Sequence, residues 1–260
     1  MFIVKLGGSV ITEKAKQSCF KQESMDRLSK EIRKADQQLI LVHGAGSFGH
    51  VLAKQYKLNE GYKNDNQLQG FSLTHSMVQQ LNSLVLKSLH DHNISAVAVS
   101  PHAILKLENH KPVATSYTIF KEYLDSGFTP VTFGDVVLDK QIRFSICSGD
   151  LLVQMLAEQF KPEKVIFVMD EDGLYTSNPK QNPKATLIDS MNSNDLEALS
   201  ATLDSHADVT GGMGGKIDTI KHIADLGVDT VLLNGNKPNR LYNILVGKKA
   251  TCTIVHGGKK

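Results

Sequence analysis

Lysines, glycines and strand-end acids recur in this sequence at positions suited to handling an anion. Lys5 lies inside the apolar run Ile3-Val4-Lys5-Leu6, and Gly7-Gly8-Ser9 follows directly. Burying an ammonium group is costly unless an anion pairs with it. Glycines let a backbone approach a phosphate and offer it N–H groups. The ordinary alternative is a lysine on a strand edge facing solvent, followed by a plain turn. Strand alternation sets Lys5 opposite Val4 and Leu6, so the residues alone leave both readings open.

Gly44-Ala45-Gly46-Ser47-Phe48-Gly49 follows a second apolar run and satisfies GxGxxG. A dinucleotide fold would need a further strand ending in Asp or Glu about 20 residues on. Residues 61–71, GYKNDNQLQGF, are not such a strand. An anion cradle at a helix N-terminus survives, because it needs only glycines and backbone donors. His50 comes directly after this loop and is a candidate ligand for the same anion, whereas His43 reads as a packed or capping residue.

Gly211-Gly212-Met213-Gly214-Gly215-Lys216 approximates a P-loop without being one. The first glycine of GxxxxGK[ST] would fall at Thr210, and Ile217 stands where a hydroxyl residue would hold magnesium. What remains is a flexible loop delivering Lys216 at a helix start. Two acids complete the set: Asp150 after Ser148-Gly149, and Asp170 opening Asp170-Glu171-Asp172-Gly173. Strand-end acids suit magnesium, a ribose hydroxyl or a simple turn. Among lysines, the simplest role for Asp150 is to orient them.

The elements that must position these residues alternate between short β-branched runs and amphipathic stretches, which predicts a largely parallel α/β sheet. Strands are expected at Phe2–Leu6, Gln38–His43, Ile94–Ser100, Pro130–Phe133, Ile142–Cys147, Val165–Met169, Thr230–Leu233 and Thr253–His256. Helices are expected over Gln22–Ala35, from near Ser47, over Ser72–His92 and Leu151–Phe160, and from Lys216 to about Leu226; residues 59–72 read as a mobile loop. The glycine-rich or acidic turns fall at the C-terminal ends of strands, where open α/β sheets gather ligands.

Bulk properties narrow the classes. A net charge of +2 with no long basic run argues against a general nucleic-acid binder. Cys19, Cys147 and Cys252 show no CxxC spacing, so neither a zinc site nor a disulfide framework is indicated. The opening MFIVKLGGSV is too short for a signal-peptide core, and no apolar run reaches about 20 residues, so a soluble cytoplasmic chain with no membrane partner is expected.

Taken in order, these pieces resemble the amino-acid-kinase superfamily over nearly the whole chain, and within it the isopentenyl phosphate kinases. The resemblance rests on KLGGSVIT at 5–12 with Lys14 two residues on, HGAGSFGH at 43–50, GDVVLD at 134–139, SGD at 148–150, DEDGLY at 170–175 and DVTGGMGGK at 208–216. It implies one amino-acid-kinase domain, an open, mostly parallel central sheet sandwiched by helices. An acceptor-binding lobe would span about 1–160 and a nucleotide-binding lobe about 161–260. The implied reaction moves the ATP γ-phosphoryl group, with Mg2+, to isopentenyl phosphate in isoprenoid biosynthesis, and a homodimer is implied.

On this resemblance Lys5, Lys14 and Lys216 contact phosphates, and Asp150 holds the lysines in register. Gly7, Gly8 and Ser9 supply backbone donors. Gly46, Asp170, Gly211 and Gly215 lie on the nucleotide side, and Gly44, Ala45, Gly49, His50 and Gly149 line the acceptor phosphate. No residue is assigned as a direct metal ligand. The helix near Met77–Leu89 is expected to select the acceptor's tail. Two alternatives stay open: a fosfomycin-type or other small-phosphate kinase, and a nucleotide-binding protein without turnover.

Overall fold

The computed structural model describes residues 1–179, 181–196 and 212–258. The first half runs β1 (Phe2–Leu6), α1 (Gly8–Ile11), α2 (Gln22–Ala35), β2 (Leu39–His43), α3 (Gly46–Gln55), α4 (Asn66–Asp91), β3 (Ala96–Ala98), α5 (Pro101–Ile104), β4 (Leu105–Glu108), β5 (Lys111–Thr115) and α6 (Thr118–Asp125). It continues through β6 (Thr129–Phe133), β7 (Asp135–Asp139), β8 (Arg143–Cys147), α7 (Gly149–Phe160), β9 (Lys164–Met169) and β10 (Ser190–Asn192). The last elements are α8 (Gly212–Asp225), β11 (Asp229–Asn234), α9 (Arg240–Leu245) and β12 (Thr253–His256).

Among the described residues an eight-stranded sheet runs β10-β12-β11-β9-β1-β2-β6-β3. All its pairings are parallel except β11 with β12. β1 therefore sits between β2 and β9, with Lys5 level with Val42 on one side and Phe167 on the other. Lys5 is thus not an edge residue. Alternation sends Phe2, Val4 and Leu6 into the core shared with α2, α4 and α9, while Ile3 joins the opposite core with residues of α6, α7 and α8. Lys5 shares the face of Ile3 and is only 7% exposed.

A second, four-stranded sheet, β5-β4-β7-β8, is not expected from the sequence. Its β4–β5 hairpin turns through Asn109 and His110, both with positive φ (48° and 67°), without the glycine that usually marks such a turn. Pro112 sits in β5, an edge strand, the place in a sheet where proline is tolerated.

The stretch 59–72 is also not a loop throughout. A 3-10 turn covers Leu58–Glu60 and α4 already starts at Asn66. Gly70, a loop signal in the sequence, sits inside α4 because a Cβ there would lie 2.3 Å from the Tyr56 ring. Similarly, α8 begins at Gly212, so Lys216 lies in its second turn and not on a loop before it. Asp208, Val209, Thr210 and Gly211 fall outside the described residues.

Candidate active site

The strands β1, β2 and β8 each end in a turn from which a helix starts, so the N-termini of α1, α3 and α7 converge at one edge of the large sheet. Helix N-termini carry unpaired N–H groups and positive dipole ends, a ready environment for anions. Two turns touch through glycine. A Cβ on Gly8 would lie 2.6 Å from the backbone of Gly46, and one on Gly44 would lie 2.8 Å from Gly8 N. Thr12 ties the same turns together: its hydroxyl donates to Gly8 O at 2.7 Å and accepts from Ser47 N–H at 3.0 Å.

The cleft at this meeting point has a volume of about 500 Å3. Lys5, Gly7, Gly8, Ser9, Lys14, Gly44, Ala45, Gly46, Gly49, His50, Gly149, Asp150, Asp170 and Lys216 all line it. Gly215 is exposed and does not belong to the lining, and Gly211 lies outside the described residues. Gly7 lines the cleft, but its N–H is already committed to Val168 O at 2.8 Å, so it is not a free donor as the resemblance implies.

At the floor, Asp150 Oδ1 accepts from both Lys5 Nζ at 2.6 Å and Lys216 Nζ at 3.3 Å. Both ammonium groups also lie over the Phe167 ring, 5.8 Å and 5.3 Å from its centroid. Burial lowers the Lys5 pKa to about 8, helped by the charge of Lys216 and opposed by Asp150. Burial by itself would raise the Asp150 carboxyl, but the two lysines outweigh it and hold it at about 2. Two cations therefore share one anion, which leaves net positive charge facing the cleft.

On the β9 side, Ser9 Oγ donates to Asp170 Oδ1 and Lys14 Nζ to Asp170 Oδ2, each at 2.9 Å. Asp172, two residues on, turns away to pair with Arg240 at 2.8 Å. His50, on α3, is reached by solvent, yet enough protein surrounds it that burial, and then the charge of Lys5, lower its pKa. His43 is packed as expected, stacked on Phe133 at 5.2 Å, and burial takes its pKa down to about 4.

Sequence reasoning missed much of the opposite wall. Val51, Ala53, Val78, Val136 and Ile146 give it an apolar surface, and Asp135 and Cys147 adjoin them. α4 contributes only Thr74 and Val78; Leu81, Val85 and Leu89 point into the core, and Met77 and Leu84 pack against it. Of the expected Met77–Leu89 stretch, Val78 thus reaches the cleft, while the five apolar residues that marked it in the sequence serve the core. GDVVLD contained part of the signal, since Gly134, Asp135 and Val136 at its start all line the cleft. Ser47 Oγ and Thr74 Oγ1 are buried in the lining with no hydrogen-bond partner among the described residues.

These features fit a phosphate ligand: ammonium groups on one floor, first-turn N–H groups above it, and unpaired hydroxyls in the wall. The carboxylates of Asp150 and Asp170 are engaged by lysines, so a magnesium ion would be carried mainly by nucleotide phosphates and water.

The family model described as the amino acid kinase family matches residues 1–234. An isopentenyl phosphate kinase of Methanothermobacter thermautotrophicus is 38% identical over 99% of this chain and 99% of its own. One of Thermoplasma acidophilum is 32% identical over 94% and 96%. A solved isopentenyl phosphate kinase structure superposes with a TM-score of 0.87 at 34% identity, covering 98% of this chain and 99% of that one.

Proposed function

Because the chain belongs to the amino acid kinase family, and within it to the isopentenyl phosphate kinases, we propose that it transfers the γ-phosphoryl group of ATP to isopentenyl phosphate in the cytoplasm, forming isopentenyl diphosphate and ADP. One observation supports this chemistry above the others: Lys5 and Lys216, from opposite ends of the chain, meet on a single oxygen of Asp150 beneath converging helix N-termini.

The acceptor is an ionised phosphate and already a nucleophile, so the reaction needs no general base. Its barrier is the approach of two anions in line, which positioning and charge neutralisation lower. One charge pair at 4 Å is worth about 4 kcal/mol at an effective dielectric near 20. In this reading Lys5 and Lys216 take the transferring group and Lys14 the nucleotide phosphates. Asp150 keeps the two floor lysines from separating. Magnesium entering with ATP would supply further neutralisation of its phosphates.

The nucleotide lies towards β9 and Asp170, the 161–260 side together with the β1 turn, and reaches Gly46 where the start of α3 touches that turn. The acceptor lies towards α3 and α7, the 1–160 side. Gly8, Ser9, Gly149 and Asp150 offer first-turn N–H groups; Gly7, Gly44, Ala45 and Gly49 allow the turns to close on the ligand. His50 hydrogen-bonds the acceptor phosphate. The free cleft keeps its imidazole neutral, and an incoming dianion reverses that preference. The apolar wall beyond it suits a five-carbon hydrocarbon tail.

The test is ADP release with Mg·ATP and a panel of isopentenyl phosphate, dimethylallyl phosphate, longer prenyl phosphates, fosfomycin and acetylglutamate. Isopentenyl phosphate should be preferred, and His50→Ala should lose most turnover with little change in ATP affinity. Turnover with fosfomycin alone would overturn the acceptor, and unchanged turnover in His50→Ala would overturn the role of the histidine.

A further inference from the structure

A second convergence of side chains lies beside the apolar wall, away from the lysines. His75 comes from α4, His102 from α5, and Asp135 opens β7. One ligand-type atom from each lies within 4.8 Å of the others. His75 Nδ1 is 2.9 Å from Asp135 Oδ2, and His102 Nδ1 is 3.7 Å from the same oxygen. The two rings meet edge-on, centroids 4.3 Å apart at 71°. A simple His–Asp hydrogen bond needs only the first of these imidazoles. A second one, turned so that the same kind of nitrogen approaches the same oxygen, has no use in that bond.

We propose that His75, His102 and Asp135 form a binding site for one divalent transition-metal ion of the zinc class. Two imidazole nitrogens and one carboxylate oxygen are the donors such ions take, whereas magnesium prefers oxygen throughout. Ligand atoms about 2.0–2.2 Å from a tetrahedral zinc stand about 3.3 Å from one another. The two measured separations, 2.9 Å and 3.7 Å, fall on either side of that spacing. Asp135 is 3% exposed, and its other oxygen accepts Val136 N–H at 2.8 Å, so the carboxylate is fixed with Oδ2 presented to the imidazoles. His75 is half-buried and His102 exposed, which gives an ion an entry path and room for a water as fourth ligand.

The ion would join α4, α5 and β7, three elements from separate parts of the chain. Asp135 also lines the cleft, and its neighbour Gly134 donates its N–H to His43 O at 3.0 Å. The site would therefore brace the acceptor-side wall. It is separate from the magnesium accompanying ATP and does not depend on which acceptor the cleft takes. The positions 75, 102 and 135 have no local spacing that a sequence motif could report.

The experiment uses tag-free protein, stripped with chelator, dialysed and titrated with Co2+ alone. One equivalent should bind and give the visible absorption of low-symmetry cobalt with nitrogen ligands. Zn2+ should displace it and raise Tm by several degrees. His102→Gln, an exposed change that leaves the fold intact, should weaken binding at least about tenfold and abolish the Tm gain; Asp135→Asn should do the same. No cobalt signal in the wild type, or a full signal in His102→Gln, overturns the site.

Discussion

At the scale of single residues, the floor of the cleft is held at a cost to the fold. A Lys5 pKa near 8 instead of 10.5 means that its charged form is disfavoured on the order of 3 kcal/mol relative to water. The folded value lies below the unfolded one. The ammonium therefore costs stability while it is charged, and that cost is relieved as pH rises from about 8 towards 10.5. Lys5→Met, which leaves Lys216 on Asp150, should raise Tm at pH 7 while lowering kcat by roughly 100-fold or more. Thermal melts across pH should show the gain largest below pH 8 and narrowing above it; a lower Tm at pH 7 would refute the cost. Lys5 and Asp170 were legible because one interrupts and the other ends an apolar run, and His50, Asp150 and Lys216 because they follow glycine-containing turns, whereas Lys14 came only with the family resemblance. Thr12, Asp135 and Ile146 were not legible. Their roles come from contacts made across the fold, and each looks ordinary among its sequence neighbours.

Elements show the same division. Asp139 closes β7 and accepts from the backbone N–H groups of Asn109, His110, Gln141 and Ile142, joining the β4–β5 turn to the β7–β8 turn. Burial pushes its carboxyl upward, and the four donors more than reverse this, to about 2. The stability it adds is thus present above about pH 4 and lost as pH falls towards 2. Asp139→Ala should lower the urea midpoint by an amount equivalent to about 1–3 kcal/mol, a difference that shrinks in acid. Val78, from α4, lines the cleft together with Val136 and Ile146, so Val78→Ala should extend turnover to longer prenyl phosphates. The acceptor panel reads this directly, and an unchanged chain-length limit would place the tail elsewhere. The long apolar strands and α2 could be read in advance because their periodicity is strong. The hairpin β4–β5 could not: its strands carry Lys106, Lys111 and Pro112, and its turn lacks glycine.

For the molecule as a whole, the parallel α/β architecture followed from alternation of strands and helices, while the second sheet had to be seen. The homodimer that the family resemblance implies is a prediction for solution. Light scattering coupled to size exclusion should give twice the mass of one chain at micromolar concentration; a single-chain mass would exclude the homodimer. Among the described residues, no helix is long and apolar enough to cross a membrane.

β1 is bordered on one side by β2 and on the other by β9, whose residues come about 160 positions later. On the ribosome this sets an order of events. At about 5–20 residues per second, one edge of the innermost strand waits roughly 8–30 s for its partner. Through that interval an apolar strand with unpaired N–H and C=O groups is open to wrong pairings. Lys216 is made later still, so the nascent chain carries Lys5 and Asp150 well before it carries a complete cationic floor. The edge of β1 is therefore open to wrong pairing until β9 has been made, and the floor that carries phosphoryl transfer is complete only once Lys216 has been added.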